Sequence, residues 1–341
     1  MMTKVGIREV AKAAGVSITT VSHSLNDATS DRVNRKTQEH VRAVAKDLGY
    51  APNRLASGLR NQRSQILGLV SDEITTTPFA GAMIRGAQDA AYERGYVVMV
   101  VNSGFDRELE SREISMLQQH QVDGVLYARM YHQNAHVPSQ LAGLPTVLLD
   151  AVTENGSISS VVPDEVGAAE TAVEAIIQAG HTRIGMINNR DDIPATHGRR
   201  EGFLNALRRH GLEHDPRHVA IGTSHQTQGG REAALELLGQ KTRPTALFCF
   251  NDRIAMGAYQ AAAELGLRIP EDVSIVGIDN LEIIADSLWP GLTTVALPHY
   301  EMGRWAVNRI LDDIGSPGKP AVKIQLDCPL IERGSLGPPP S

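Results

Sequence analysis

A chain of 341 residues, 42% hydrophobic and 21% charged, is long enough for two or three packed units and has the composition of a globular protein, not of a disordered one. The opening MMTKVGIREV lacks the apolar core and cleavage site of a secretory leader, and no later stretch is apolar over the roughly 18 residues a membrane helix needs, so a cytoplasmic chain with no membrane partner is expected. The net charge of −6 conceals a division: residues 1–64 hold 11 Lys and Arg against 5 Asp and Glu, leaving 22 against 34 for the rest.

A positive head on an acidic body points to nucleic acid, because clustered cations displace counterions from a phosphate backbone. Residues 1–50 read as three short helices, with apolar spacing at Ile7, Val10, Ala11 and Ala14, then Val21 and Leu25, then Val41, Val44, Ala45 and Leu48. Gly15-Val16-Ser17 supplies a turn between the first two. Ser17 and Asn34 are N-cap residue types at the starts of the second and third helices, and Gly49 sits near the last C-terminus. This is a helix-turn-helix pattern. In its second helix, within Ser17 to Asn26, Val21 and Leu25 face inward while Ile18, Thr19, Ser22 and His23 form an outer ridge. Thr19 and His23 can donate to base acceptors, Ile18 can touch a thymine methyl, and Thr20 or Ser22 can bind phosphate.

Residues 51–64, rich in Arg and holding Pro52 and Gly58, read as a linker with a conditional helix. From Gln65 onward short apolar runs alternate with amphipathic stretches. Strands are expected at 66–70, 97–101, 124–127, 146–149, 184–187, 246–250 and 273–278, and helices at 80–94, 108–120, 165–179, 200–210, 229–238 and 254–265. Such alternation builds parallel α/β sheets, whose ligands lie beyond the strands' carboxyl ends, where Asp72, Asn102, Asp150, Asn188, Asn251 and Asp279 stand. The Pro-rich end, 334–341, is expected to be disordered. Cys249 and Cys328 are too few for a disulfide scaffold or a thiolate metal site, so both are expected reduced near a core, with no metal and no cofactor.

IREVAKAAGVSITTVSHSLN followed by RVNRKTQEHVRAVAKDLGYAPNRLASGLR resembles the DNA-binding head of the LacI/GalR family of bacterial regulators. From residue 65 to about 333 the order of PFAGAMIRGAQDAAYERGY, VDGVLY, AGHTRIGMI, the Arg199 to Phe203 element, PTALFCFNDRIAMGA and IPEDVSIVGIDN is similar to that family's body. The resemblance implies an all-α helix-turn-helix head on an α/β, two-lobed, periplasmic-binding-protein-like body with parallel sheets. It further implies a repressor that binds a pseudo-palindromic double-stranded operator as a homodimer, under allosteric control by a sugar or sugar derivative. The first lobe would take about 65–163 and a segment near 294–325.

By the same resemblance Ile18, Thr19 and His23 match base-contacting positions, and Asn53, Ala56 and Leu59 match a hinge helix whose leucine enters the minor groove. Gly58 would weaken that helix by roughly 1 kcal/mol relative to Ala, so that it folds only on DNA. Asp72, Phe79, Asp150, Arg199, Asn251 and Asp279 match effector-binding positions, Ser224 falls where an aromatic is common, and His299 lies near a variable one. Tyr127, Arg129 and Tyr131 could reach a ligand, a dimer partner or only solvent. Two departures stand out: His23 replaces an arginine that would grip guanine with two hydrogen bonds, and Gly6 replaces a capping Thr or Ser.

An enzyme is the first rival, but there is no phosphate-binding G-x-x-x-x-G-K, no G-x-G-x-x-G after the first strand, no G-x-S-x-G and no H-E-x-x-H, so no catalytic residue is assigned. An exported binding protein is the second; it would share the body but carry a leader and no helix-turn-helix.

Overall fold

The structure, a computed structural model, describes residues 5–25, 31–50, 63–73 and 80–340. The chain divides into two compact units, residues 1–64 and 65–341.

In the first unit α1 (Ile7–Ala14), α2 (Ile18–Ser24) and α3 (Arg35–Asp47) enclose a small core of Val10, Ala11, Ala14, Val21, Val41 and Ala45. Gly15 makes the turn after α1 at φ 65°, a left-handed conformation that is free of steric cost without a Cβ. Ser17 Oγ accepts from the Thr20 N–H at 3.0 Å and Asn34 Oδ1 from the Thr37 N–H at 2.9 Å, capping α2 and α3. Gly6 has no side chain to offer α1, yet Glu9 reaches back and its Oε2 accepts from the Gly6 N–H at 2.9 Å, half of a capping box. The inward residues of α2 are Val21 and Ser24, while Leu25, expected inside, is half-buried at the C-cap.

In the second unit one sheet comprises β1 (Ile66–Ser71), β2 (Val97–Asn102), β3 (Gly124–Asn134), β4 (Thr146–Val152), β5 (Ser159–Pro163) and β11 (Lys323–Leu326). Its order is β11-β5-β4-β3-β1-β2, every pair parallel. The helices α4 (Ala80–Glu93) and α11 (His299–Gly315) cover one face, and α5 (Arg107–Gln119) covers the other. The second sheet comprises β6 (Ile184–Asn188), β7 (Val219–Ile221), β8 (Ala246–Cys249), β9 (Ser274–Asp279), β10 (Thr293–Ala296) and β12 (Leu330–Ile331), in the order β12-β10-β9-β8-β6-β7. Only β12 is antiparallel to its neighbour. Here α6 (Glu165–Gln178) and α7 (Pro194–Arg209) pack on one face, and α8 (Thr227–Leu238) and α9 (Asp252–Glu264) on the other. The short α10 (Glu282–Ala285) follows β9.

Each sheet defines a lobe, and the chain crosses between lobes after β5, before α11 and after β11. The returning segment of the first lobe starts at α11, because β10 at 293–296 pairs with β9 in the second sheet. The C-terminal end differs from the disorder expected of its prolines. Ser335 is fully buried; its Oγ donates to Ile275 O at 2.6 Å and accepts from the Thr293 N–H at 2.8 Å. His181 Nε2 lies 2.8 Å from Gly337 O. Buried backbone groups at the base of β9 and β10 need partners, and the tail supplies them. Both cysteines are reduced and buried.

Candidate functional sites

On the head, Ser17, Ile18 and Thr19 are exposed at the first turn of α2, and Thr20, Ser22 and His23 are half-buried behind them. Ile18 is 45% exposed, an apolar tip leading a polar ridge. Ser17 Oγ and Thr20 Oγ1 lie 2.9 Å apart, and Asn34 holds the first turn of α3, so these side chains set helix ends as well as bordering the ridge. Arg42 of α3 donates to Ser24 O at 3.1 Å, tying the end of α2 to the core. Asn26, Asn53, Ala56, Gly58 and Leu59 lie outside the described residues, as does Phe79 in the body.

In the body a cleft between the two sheets is lined by Asp150, Arg199, Asn251 and Asp279, four of the residues expected there, together with Tyr131, His132, Glu165, His225, Phe250, Arg253 and His299. Asp150, within β4, and Asp279, at the end of β9, have φ 55° and 121°, left-handed backbone that side chains avoid unless the surroundings impose it. Arg199 projects from α7. That helix lies close against α6 because a Cβ at Gly202 would come within 2.2 Å of Val166 O, and one at Gly198 within 2.8 Å of Glu165 Cβ. The approach brings Arg199 Nε to 2.7 Å from Glu165 Oε2, with both side chains 4% exposed. Arg199 also donates to Phe250 O, lies 3.9 Å from Asp279 Oδ1, and stacks with its Cζ 4.3 Å from the Phe250 ring centre.

Three carboxylates thus crowd one central guanidinium. Burial pushes the Asp279 carboxyl up to about 7, with Glu165 adding to the shift and Arg199 opposing it. Burial raises Asp150 far above the usual carboxylate range, again with Glu165 adding to it. His299 is pushed down to about 4 by burial and by the charge of Arg199. The site therefore offers carboxyl groups able to accept or, when protonated, donate, an orienting guanidinium and an apolar wall.

Other expected residues are placed differently. Asp72 is not among the residues that line this cleft, although its charge acts on Asp150. It borders a separate hollow of the first lobe, where it accepts from the Glu73 N–H at 3.0 Å and lies 3.8 Å from Arg129. Arg129 and Tyr127 turn into the same network: Tyr127 donates to Glu110 Oε1 at 2.8 Å, Arg129 donates to Tyr127 Oη, and the guanidinium sits over the phenol ring. Ser224 does not line the cleft; its hydroxyl accepts from the Gln226 N–H at 3.4 Å, and its neighbour His225 takes the place at the wall. Asn251 lines the cleft but is also a structural cap, with Oδ1 accepting from the Ile254 N–H at 2.8 Å and Nδ2 donating to His225 O at 3.2 Å. Glu165 and His132 are the residues that sequence reasoning missed. An acidic residue at a helix start reads as a partner of the helix dipole, and His132 lies beyond the hydrophobic run that marked its strand.

Comparison with known proteins follows the same division. Residues 6–53 match the profile of bacterial regulatory proteins of the lacI family, and residues 64–333 match that of periplasmic binding proteins and the sugar binding domain of the LacI family. The chain is 32% identical to the ribose operon repressor of Escherichia coli (strain K12) over 96% of its own length and 99% of the repressor's. It superposes on the structure of a transcriptional regulator CelR–cellobiose complex with a TM-score of 0.70 at 30% identity, covering 97% of this chain and 99% of that one. For the lac repressor dimer bound to operator and the anti-inducer ONPF the TM-score is 0.78 at 25% identity, over 98% and 99% of the two chains. A helix-turn-helix head ahead of a two-sheet body, matched end to end in this way, makes the chain a member of the LacI family of DNA-binding regulators of bacterial transcription.

Proposed function

We propose that the protein is a homodimeric repressor that reads a pseudo-palindromic operator with α2 and releases or tightens on it when a neutral, hydroxyl-rich effector, a sugar or sugar derivative, enters the cleft. The observation that carries the effector assignment is the buried Arg199–Glu165 pair flanked by Asp150 and Asp279 on left-handed backbone. Such a set orients hydroxyls. The relatives named for ribose and cellobiose point the same way.

In the head, Thr19 and His23 would read base edges, Ile18 a thymine methyl, and Ser17, Thr20, Ser22 and Asn34 the backbone near the helix ends. Asn26, Asn53 and Ala56 would line the DNA as the hinge forms, and Leu59 would wedge between base steps. Two-fold symmetry of the protein implies two half-sites, each read by one α2. Exposed Ile221, Ile283 and Trp289 on the second lobe are suited to cover by a second copy. The regulator works beside the chromosome, in the cytoplasm, and catalyses nothing in this scheme.

The test is selection of genomic DNA fragments by the purified protein, with and without a panel of sugars that includes ribose and cellobiose. Recovery of a palindromic site that changes with one sugar is the expected result. Sequence-selective recovery indifferent to every sugar would sink the effector assignment, and no selective recovery would sink the operator assignment.

A further inference from the structure

The strand β3 continues past its hydrophobic run. After Ala128 its register against β4 shifts, and pairing resumes with Gln133 opposite Ala151. One residue before that pair on each strand stand His132 and Asp150, both lining the cleft. The His132 side chain is 10% exposed and Asp150 as a residue 3% exposed. His132 Nδ1 and Asp150 Oδ1 are buried and have no hydrogen-bond partner among the described residues. Buried polar atoms in native proteins are nearly always satisfied, so two of them on neighbouring strands, both facing a cleft, point to the polar atoms of a ligand.

From the other lobe Glu165 Oε1 comes to 3.8 Å from His132 Nδ1. That is too long for a hydrogen bond, yet a single oxygen can sit at hydrogen-bonding distance from both atoms at once. We infer that His132, with Asp150 and Glu165, forms a subsite for a vicinal pair of effector hydroxyls: one accepts from His132 Nδ1–H and donates to Glu165, and its neighbour donates to Asp150. This rests on the effector cleft proposed above and adds a specificity residue to it. Burial lowers the basicity of His132, which keeps the ring neutral, and a carboxylate facing Nδ1 favours the tautomer with its proton there. A hydroxyl held this way bridges the lobes, since His132 belongs to the first and Glu165 to the second.

The experiment titrates the full-length protein and its variants His132→Ala, His132→Phe and His132→Asn with unphosphorylated sugars from D-ribose to cellobiose, by calorimetry, alongside operator affinity without sugar. The Phe variant keeps bulk without a donor, and the Asn variant keeps a donor near Nδ1. For the sugar the parent binds, the Ala and Phe variants should be weaker by about tenfold or more, and the Asn variant within about threefold of the parent, because one lost hydrogen bond is worth about that factor. Sugar-free operator affinity should be the same in all four. Unchanged sugar affinity in the Ala and Phe variants, or equal weakening in all three, overturns the subsite. A parent that binds operator but no sugar overturns the effector cleft itself, a failure visible before any variant is made.

Discussion

Arg199 and Glu165 carry most of the cleft's electrostatics, and their burial changes what a substitution there would do. Removing the guanidinium leaves Glu165, 4% exposed, without its ion-pair partner. Arg199→Ala should therefore cost about 3–5 kcal/mol of stability as well as the effector response, while the double change Arg199→Met with Glu165→Gln should recover most of the stability and none of the response. Urea unfolding followed by tryptophan fluorescence separates the two. A single variant as stable as the parent would mean that the pair is solvated in solution. His299 gives a second residue-scale prediction. Its folded pKa of about 4 lies below the ordinary histidine value, so between about 4 and 6.5 the unfolded chain binds more protons and stability rises with pH. The unfolding free energy of the parent minus that of His299→Gln should climb across this window and be flat above about 7. A flat difference throughout would show that the ring is not buried in neutral form. At this scale the sequence was informative where a polar residue ends an apolar strand, as with Asp150 and Asp279. It was silent on Glu165, whose partner lies 34 positions away on another helix.

Elements with strong periodicity were legible, and those made by pairing were not. The strands β1, β2, β6 and β9 announced themselves as apolar runs. By contrast β11 alternates half-buried and exposed residues, β12 is two residues long, and the polar half of β3 looks like a surface loop because only its register against β4 makes it a strand. The tail misled for a related reason: its prolines and glycines suggest disorder, but Ser335 and Gly337 bond to β9, β10 and His181. Removing residues 335–341 should therefore destabilise the second lobe by about 2–4 kcal/mol, since several buried donors and acceptors lose their partners at once. Hydrogen exchange should show the loss in β9 and β10 and leave the first sheet untouched. Protection of all strands equal to that of the full chain would restore the expectation of a dispensable tail.

For the whole molecule, the charge division read from the sequence coincides with the boundary between the two units at residues 64 and 65. The basic head supplies salt-dependent attraction to any DNA, whereas the acidic body repels it. Effector control must then be a coupling free energy between two distinct sites, one in each unit. Such coupling is reciprocal: if the effector changes operator affinity by some factor, the operator changes effector affinity by the same factor, whether the effector acts as inducer or as corepressor. Allosteric couplings are typically 1–3 kcal/mol, or about 5- to 150-fold. The prediction is that effector titrations of free and operator-bound protein, at one salt concentration, will differ by the factor seen in operator titrations with and without effector. His132→Phe should weaken effector binding in both titrations equally and leave the factor unchanged, because its hydrogen bond is made to the ligand in either state. If instead the factor collapses in that variant, the bridge across the lobes is itself the switch, and His132 belongs to the coupling as well as to the binding.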